Sequence, residues 1–323
     1  MNTHFREIVI KSMDASAIVS EELIQTLWSG YGEIVKVGLS DSKHETAILK
    51  YIVLPQAVTH PRGWNTQRSH QRKIKSYEVE MHWYQNWSHR CHKGCRVANC
   101  YAASSDGHER VILLEDLDAA GFSGRADTLH EQGVNVCLDW LAQFHATFML
   151  EKPRGLWSVG TYWHLETRPD EWAAMADGAL KHAAATIDQR LNACRYQTVV
   201  HGDAKVANFC FSPDYDQVAA VDFQYVGGGC GMKDVAYFLG SCLTEQACMQ
   251  YNERFLDYYF LRLKKALAEQ NKTLDWPVLE REWRSLFPVA WTDFYRFLLG
   301  WMPNHRKINR YTQKLADEVL SSL

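Results

Sequence analysis

The chain has 323 residues, 46% hydrophobic and 23% charged, with a formal net charge of −3 at pH 7. That composition builds a sizeable core and excludes a disordered chain, and the slight acidic balance excludes a general nucleic-acid binder, which carries a basic excess. No apolar run approaches the roughly 18 residues that span a bilayer, and Met1 to Glu7 lacks the basic-then-apolar pattern of an export signal, so a cytoplasmic protein without a membrane partner is expected.

In chain order, Ile24 to Trp28 is predicted as a first strand and Ser29-Gly30-Tyr31-Gly32 as a turn. Glu33 to Leu39 is a second strand, and Asp41-Ser42-Lys43 turns into a third, Thr46 to Val53. Pro55 to about Thr66, rich in Pro, Gly and Asn, is a loop. A long helix is expected from about Ser69 to Trp87, with Tyr77, Met81 and Tyr84 at helical spacing. His89, Cys91, His92, Cys95 and Cys100 then crowd one stretch. Their spacing departs from the two-residue Cys gaps of zinc knuckles and no second Cys pair follows, so the stretch reads as a loop before the next strand. The nine cysteines form an odd, scattered set that reads as free thiols.

A strand over Arg110 to Leu117 closes the strand-rich part. Beyond it the pattern is helical: Val134 to Met149 carries Leu138, Leu141, Phe144, His145 and Phe148 on one stripe. Glu171 to Leu191 reads as one or two helices. Lys233 to Cys242, Gln246 to Gln270, Trp276 to Leu286 and Val289 to Leu299 follow, with Pro277, Pro288 and Pro303 as separators.

One segment carries the chemistry. Residues 199–222 place His201-Gly202-Asp203, Lys205 and Asn208 in a loop after a β-rich run, and Asp222-Phe223-Gln224 after the next apolar strand. Phosphoryl transfer needs such a set: one carboxylate, Asp203, to accept the proton of the attacking hydroxyl, and an amide and a second carboxylate, Asn208 and Asp222, to hold Mg²⁺ against nucleotide phosphates. Lys205, two positions after the base, is a candidate to steady the γ-phosphate. Ser29 to Glu33 sits between the first two strands, where Gly30 and Gly32 would let backbone approach phosphates closely.

The segment resembles the catalytic and metal loops of the kinase-like small-molecule phosphotransferases, which include the aminoglycoside phosphotransferases, the choline kinases and the ecdysteroid-kinase-like proteins. The last are the nearest, through Glu80-Met81-His82-Trp83-Tyr84 and through the stretch from Gly227 to Phe238 that ends Asp234-Val235-Ala236-Tyr237-Phe238. The resemblance covers roughly residues 20 to 300. It implies an α+β, two-lobed, protein-kinase-like fold, with a β-rich nucleotide lobe over 1–117 and a mostly helical catalytic and acceptor lobe over 118–323. It also implies ATP- and Mg²⁺-dependent phosphorylation of a hydroxyl on a small molecule, choline-like, sterol-like or a sugar or amino alcohol. Lys50 falls where these families place the lysine that meets the α- and β-phosphates. Its partner is then a glutamate of the following helix, Glu80, with Glu78 as the alternative. Leu114-Glu115-Asp116-Leu117 resembles the hinge, with Glu115 and Leu117 offering main-chain groups to the adenine. Asp234 is a plausible helix N-cap that braces the catalytic loop.

Two features bear on the acceptor. Gln224 stands where protein kinases have Gly, and no activation segment with Ala-Pro-Glu is found, which argues against protein substrates. The late helices are rich in aromatics, namely Trp276, Trp283, Trp291, Phe294, Tyr295, Phe297 and Trp301, which at this spacing are more often core than pocket. Any that face the cleft would suit a hydrophobic ring or a quaternary ammonium, with Asp293 and Glu282 as charges for an amine. The alternative function is a catalytically silent nucleotide-binding protein acting through partners.

Overall fold

Alternating apolar and polar residues close the first third of the chain into an antiparallel sheet in the computed structural model, which describes residues 3–27, 30–54 and 67–323. The elements in order are α1 (Thr3–Ser12), β1 (Ala17–Thr26), β2 (Gly32–Ser40), β3 (Thr46–Val53), α2 (Gln67–Asn86), β4 (Arg96–Val97), β5 (Cys100–Asp106) and β6 (Glu109–Glu115). The sheet order is β1-β2-β3-β6-β5. In β3 the alternation sends Leu49 to one face and Lys50 to the other. The Leu49 face, with Val35, Val37, Val111 and Leu113, is covered by Phe5 and Val9 of α1. Glu80 of α2 meets Lys50 on the opposite face.

The chain then runs through α3 (Glu131–Thr147), α4 (Pro169–Ala174), α5 (Ala179–His182), α6 (Ala184–Asn192), β7 (Thr198–Val200), β8 (Phe209–Phe211), β9 (Val218–Ala220), β10 (Gly227–Gly229), α7 (Met232–Cys242), α8 (Glu245–Glu269), α9 (Trp276–Trp301) and α10 (Arg310–Ser321). Buried side chains of α3, α7, α8 and α9 form the main core, which also takes in Trp83 and Tyr84 of α2. Two small ladders cross its top: β10 pairs with β7, and β8 pairs with β9, itself joined in parallel to β4. The loop after β7 and the turn after β9 thereby lie side by side. No helix among the described residues is long and apolar enough to cross a membrane.

Several elements differ from the sequence expectation. The first strand begins at Ala17, because β1 is an edge strand held by its ladder to β2 while its side chains are mostly exposed, so no apolar alternation marks it. Helix α1 and strand β5 were not expected at all. β5 reads Cys-Tyr-Ala-Ala-Ser-Ser-Asp, with little intrinsic strand preference, and is imposed by its pairing to β6. The closing strand ends at Glu115, leaving Asp116 and Leu117 in the connection. The span 171–191 is divided among α4, α5 and α6, and the two helices expected on either side of Pro288 are one helix, α9, with Pro288 inside it. A proline there removes one backbone hydrogen bond, at a cost of about 3 kcal/mol. The flanking Phe287, Val289, Ala290 and Trp291 are all buried, and their burial offsets it. The expected loop from Pro55 to Thr66, and Trp28 and Ser29 of the first strand and turn, lie outside the described residues.

Candidate active site

A cavity of about 1230 Å³ lies where the sheet meets the helical part. Lys50, Glu80, Asp203, Lys205, Asn208 and Asp222 all line it, as do Glu115 and Leu117. Lys50 Nζ lies 2.9 and 2.7 Å from the two Glu80 oxygens and 3.7 Å from Asp222 Oδ1. Burial alone would lower the Lys50 pKa, but Glu80 and Asp222 outweigh it and the ammonium is held above its usual range. Glu78 points to the far side of α2, 3.9 Å from Arg110. Residues two apart on a helix are about 200° apart, so only one of the two could reach Lys50.

Asp203 is nearly buried at the head of the loop. Its Oδ2 accepts from Lys205 Nζ at 3.1 Å and Asn208 Nδ2 at 3.1 Å, while its Oδ1 is buried with no hydrogen-bond partner. A buried carboxylate oxygen left open beside a cavity is a site for an incoming donor. Burial pushes the Asp203 carboxyl above its usual range and Asp222 adds to the rise, against the pull of Lys205. Asn208 also donates to the Asp203 carbonyl at 2.8 Å, so its amide nitrogen is committed to the loop.

Asp222 occupies the left-handed region at φ 69°, a conformation that Asp tolerates better than most residues. Burial alone would raise its pKa, but Lys50, Lys205 and Lys73 together hold it below the usual carboxylate range. Lys73 is itself lowered to about 8, chiefly by burial. Gln224 Nε2 donates to Asp222 Oδ1 at 2.7 Å, and its own Oε1 accepts from Lys73 at 2.7 Å and Ser76 at 3.3 Å, tying the turn to α2. Phe223 stacks on Trp83 with centroids 4.6 Å apart, which anchors the same turn in the core.

The loop itself is held from below. The N–H groups of His201 and Gly202 donate to the two Asp234 oxygens at 2.6 and 2.9 Å, and His145 Nε2 lies 3.1 Å from Asp234 Oδ2. Asp234 lies in the first turn of α7 rather than at its N-cap, which is Gly231; the expected brace is present and the expected cap is not. His201 Nε2 reaches the Val221 carbonyl at 3.0 Å, joining loop to turn. Gly202 has φ 80°, and a Cβ there would lie 2.1 Å from the Tyr225 carbonyl oxygen. Gly202→Ala is therefore expected to destabilise the fold by more than about 2 kcal/mol, strain and clash acting together. Chemical denaturation measures this, and an unchanged midpoint would overturn the reading.

The glycines of the first turn do not line the cavity; Leu27 and Tyr31 do. Gly32 has φ 129° and a Cβ there would lie 2.0 Å from the Tyr51 carbonyl oxygen, so glycine is required by the close approach of β2 to β3. The Tyr31 hydroxyl meets His70 Nδ1 at 2.5 Å, closing the turn onto α2. At the segment expected to act as hinge, the Glu115 side chain binds Arg96 at 2.6 Å and the Glu115 N–H donates to the Asn99 carbonyl. Leu27, Ile34, Ile48, Ala98, Leu114, Leu117 and Val221 give this end of the cavity apolar walls.

Among the late aromatics, Phe294 and Trp301 line the cavity. Trp283, Trp291 and Phe297 are buried in the helical part, and Trp276 packs on Phe260. Neither carboxylate considered for an amine is available. Asp293 is buried and bound to Arg296 at 2.9 Å, and Glu282 accepts from the N–H groups of Arg195 and Tyr196 at 2.8 and 3.1 Å. Sequence reasoning missed Lys73, Tyr162, Arg168, Tyr237 and Lys307, all of which line the cavity. They come from separate elements and share no spacing that could have marked them. The stretch around Cys91 and Cys95 forms short turns in which His92 Nδ1 accepts from the Gly94 N–H, and no group of three or more possible metal ligands exists among the described residues.

The family model described as "Ecdysteroid kinase-like family" matches residues 36–154 and 160–272. No curated protein matches the chain. Among solved structures, a microcompartment-associated aminopropanol kinase aligns with a TM-score of 0.57 at 15% identity, covering 99% of this chain and 98% of that one. A thermostable mutant of the aminoglycoside phosphotransferase APH(4)-Ia, in ternary complex with ADP and hygromycin B, aligns with a TM-score of 0.52 at 12% identity, covering 99% of each chain. At these identities the likeness concerns the fold: a sheet-rich N-terminal part and a helical C-terminal part in the kinase-like α+β arrangement.

Proposed function

The chain belongs to the ecdysteroid kinase-like family, and from that membership and the geometry of the cleft we propose that it transfers the γ-phosphoryl group of ATP, with Mg²⁺, to a hydroxyl of a small molecule. The observation that carries the reading is the open Oδ1 of buried Asp203, set beside Asn208 and Asp222 in a cavity that also holds the Lys50–Glu80 pair.

The residues present fit the nucleotide and the metal. Apolar walls from Leu27 to Val221 suit a flat base, and Lys50, Lys73 and Lys205 converge on Asp222 to give a positive field for phosphates. Asn208 and Asp222 would hold Mg²⁺, an oxygen-seeking cation that neutralises charge on the phosphates when bound. Lys50, fixed by Glu80, meets the phosphates nearest the sheet, and Lys205 meets the group in transfer. Asp203 orients the acceptor hydroxyl through Oδ1 and takes its proton. Its raised pKa brings it nearer to neutrality, which favours a base, while Lys205 and Asn208 keep the carboxylate in one rotamer. The backbone of Glu115 and Leu117 is offered to the base edge, and Gly30 and Gly32 shape the turn above it without lining the cavity.

Calorimetric titration with Mg·ATP, followed by ATP consumption against a panel of hydroxylated small molecules, tests the reading. Binding with turnover of one acceptor class is expected. Binding with no turnover would favour the silent alternative, and no binding would remove the nucleotide site. Asp222→Ala is expected to weaken Mg·ATP binding by more than about tenfold. Outer-shell partners of a metal are alone worth roughly 10–100-fold, and a direct carboxylate ligand is worth at least as much. Titrations with and without Mg²⁺ read this, and an unchanged metal dependence would sink the assignment.

A further inference from the structure

The half of the cavity beyond Asp203 is built from Tyr162, Arg168, Tyr237, Phe294, Trp301 and Lys307. Each of its carboxylates has a cation partner. Glu171 binds Arg168 at 2.9 Å, Asp170 binds Arg68 at 3.1 Å, and Asp203 binds Lys205 at 3.1 Å. Not all of its cations are matched in return. Lys307 Nζ carries no hydrogen bond or ion pair among the described residues and stands over the rings of Tyr237 and Phe294, 4.6 and 5.1 Å from their centroids. Arg306 and His305 flank it on the same wall.

The Lys307 backbone is also held firmly: its N–H donates to His305 Nδ1 at 3.1 Å and its carbonyl accepts from Thr312 Oγ1 at 2.9 Å. Thr312 Oγ1 in turn accepts from Trp291 Nε1 at 3.0 Å. Burial lowers the Lys307 pKa to about 8, and Asp203 is the strongest opposite charge acting against that fall. A cationic acceptor would find two aromatic faces already taken by an ammonium, and the one open carboxylate oxygen besides the base, Glu171 Oε2, belongs to a carboxylate already neutralised by Arg168. An anion would find a positioned cation with its hydrogen-bonding capacity unused.

We propose that the acceptor is a hydroxylated compound with an apolar body and an anionic group, such as a carboxylate, and that Lys307 is the residue that selects it. This rests on the phosphotransferase reading for the hydroxyl, but the anion subsite has a readout of its own. Lys307 donates to the anion while Tyr162, Tyr237, Phe294 and Trp301 enclose the body, leaving the hydroxyl to reach Asp203 Oδ1. Amino alcohols and quaternary ammonium compounds are thereby disfavoured.

The experiment compares binding of 4-(hydroxymethyl)benzoate, its neutral amide and the corresponding benzylamine to the full chain by calorimetry, with and without Mg·ADP. Lys307→Met keeps the stem that packs on Tyr237 and Phe294 while removing the charge, and Lys307→Arg restores a cation. The carboxylate is expected to bind best. Its Kd should rise at least about tenfold in Lys307→Met and recover in Lys307→Arg, with the amide unaffected, since charge-assisted hydrogen bonds are worth at least that much. Thermal melting of Lys307→Met should match the unmodified protein. Tighter binding of the amine, no binding of the carboxylate, or equal loss of all three compounds in Lys307→Met would overturn the proposal. Carboxylate binding without Mg·ADP binding would instead uphold the anion subsite and remove the phosphotransferase reading.

Discussion

Asp203→Asn is expected to lower turnover by about 10²–10⁴-fold, the usual contribution of a positioned base, with Mg·ATP affinity largely unchanged. The substitution is isosteric and keeps an oxygen for Lys205 and Asn208, so the loop geometry survives. What it removes is the ability to take the acceptor's proton. The pH dependence has a defined sign. In the proposed reaction Asp203 works as the carboxylate, and burial, with help from Asp222, raises its pKa against Lys205. Activity is therefore present above that raised pKa and lost as pH falls through it, at a higher pH than for an ordinary aspartate. Steady-state kinetics across the acid range, paired with nucleotide titrations, measure both effects. If the variant lost nucleotide binding in proportion to its turnover, Asp203 would be acting on the metal or nucleotide rather than on the acceptor.

Asp234→Ala is expected to be the most damaging single change to stability outside the apolar core, at about 3–5 kcal/mol, or roughly 5–10 °C in Tm. The carboxylate has no solvent exposure and accepts from the N–H groups of His201 and Gly202 while contacting His145, whose other ring nitrogen lies 2.8 Å from the Tyr259 hydroxyl. Removing it orphans two buried backbone donors, each worth about 1–3 kcal/mol, and frees the segment that carries Asp203. Turnover should fall along with stability. Asp234→Asn, with one oxygen left to accept, should fall between the two. Differential scanning calorimetry decides it, and a Tm within about 1 °C of the parent would mean that the loop is held by other contacts.

Much of the candidate site was legible because it is nearly contiguous. His201 through Asp222 spans two short strands and two turns, so the residue types, their spacing and the apolar flanks sit in one readable window. Lys50 was legible through the family resemblance, which places a lysine in that apolar strand, and it lies in the middle of β3. Glu80 against Glu78 was not separable by spacing alone, and the packing of α2 on the sheet put Glu80 inside. The misses share a different cause. β1 is an edge strand with exposed side chains, β5 owes its extension to its neighbour, and α9 continues through Pro288 because its flanks are buried. In each case long-range contacts overrode local preference.

Chain chemistry by itself determined that this protein is a folded α+β chain with a loop carrying the residue types that phosphoryl transfer needs, since that information lies in residue types at short separations. Tertiary structure decided which side chains the loop meets. Gln224 became a tie between Asp222 and α2, the paired glycines became a requirement of strand packing, and the carboxylates of α9 turned away from the cleft. The wall proposed to face the acceptor belongs wholly to that second kind. Tyr162, Arg168, Tyr237, Phe294 and Lys307 are scattered over nearly half the chain, and only the packing of α7 and α9 beneath the sheet brings their charges and rings to one surface.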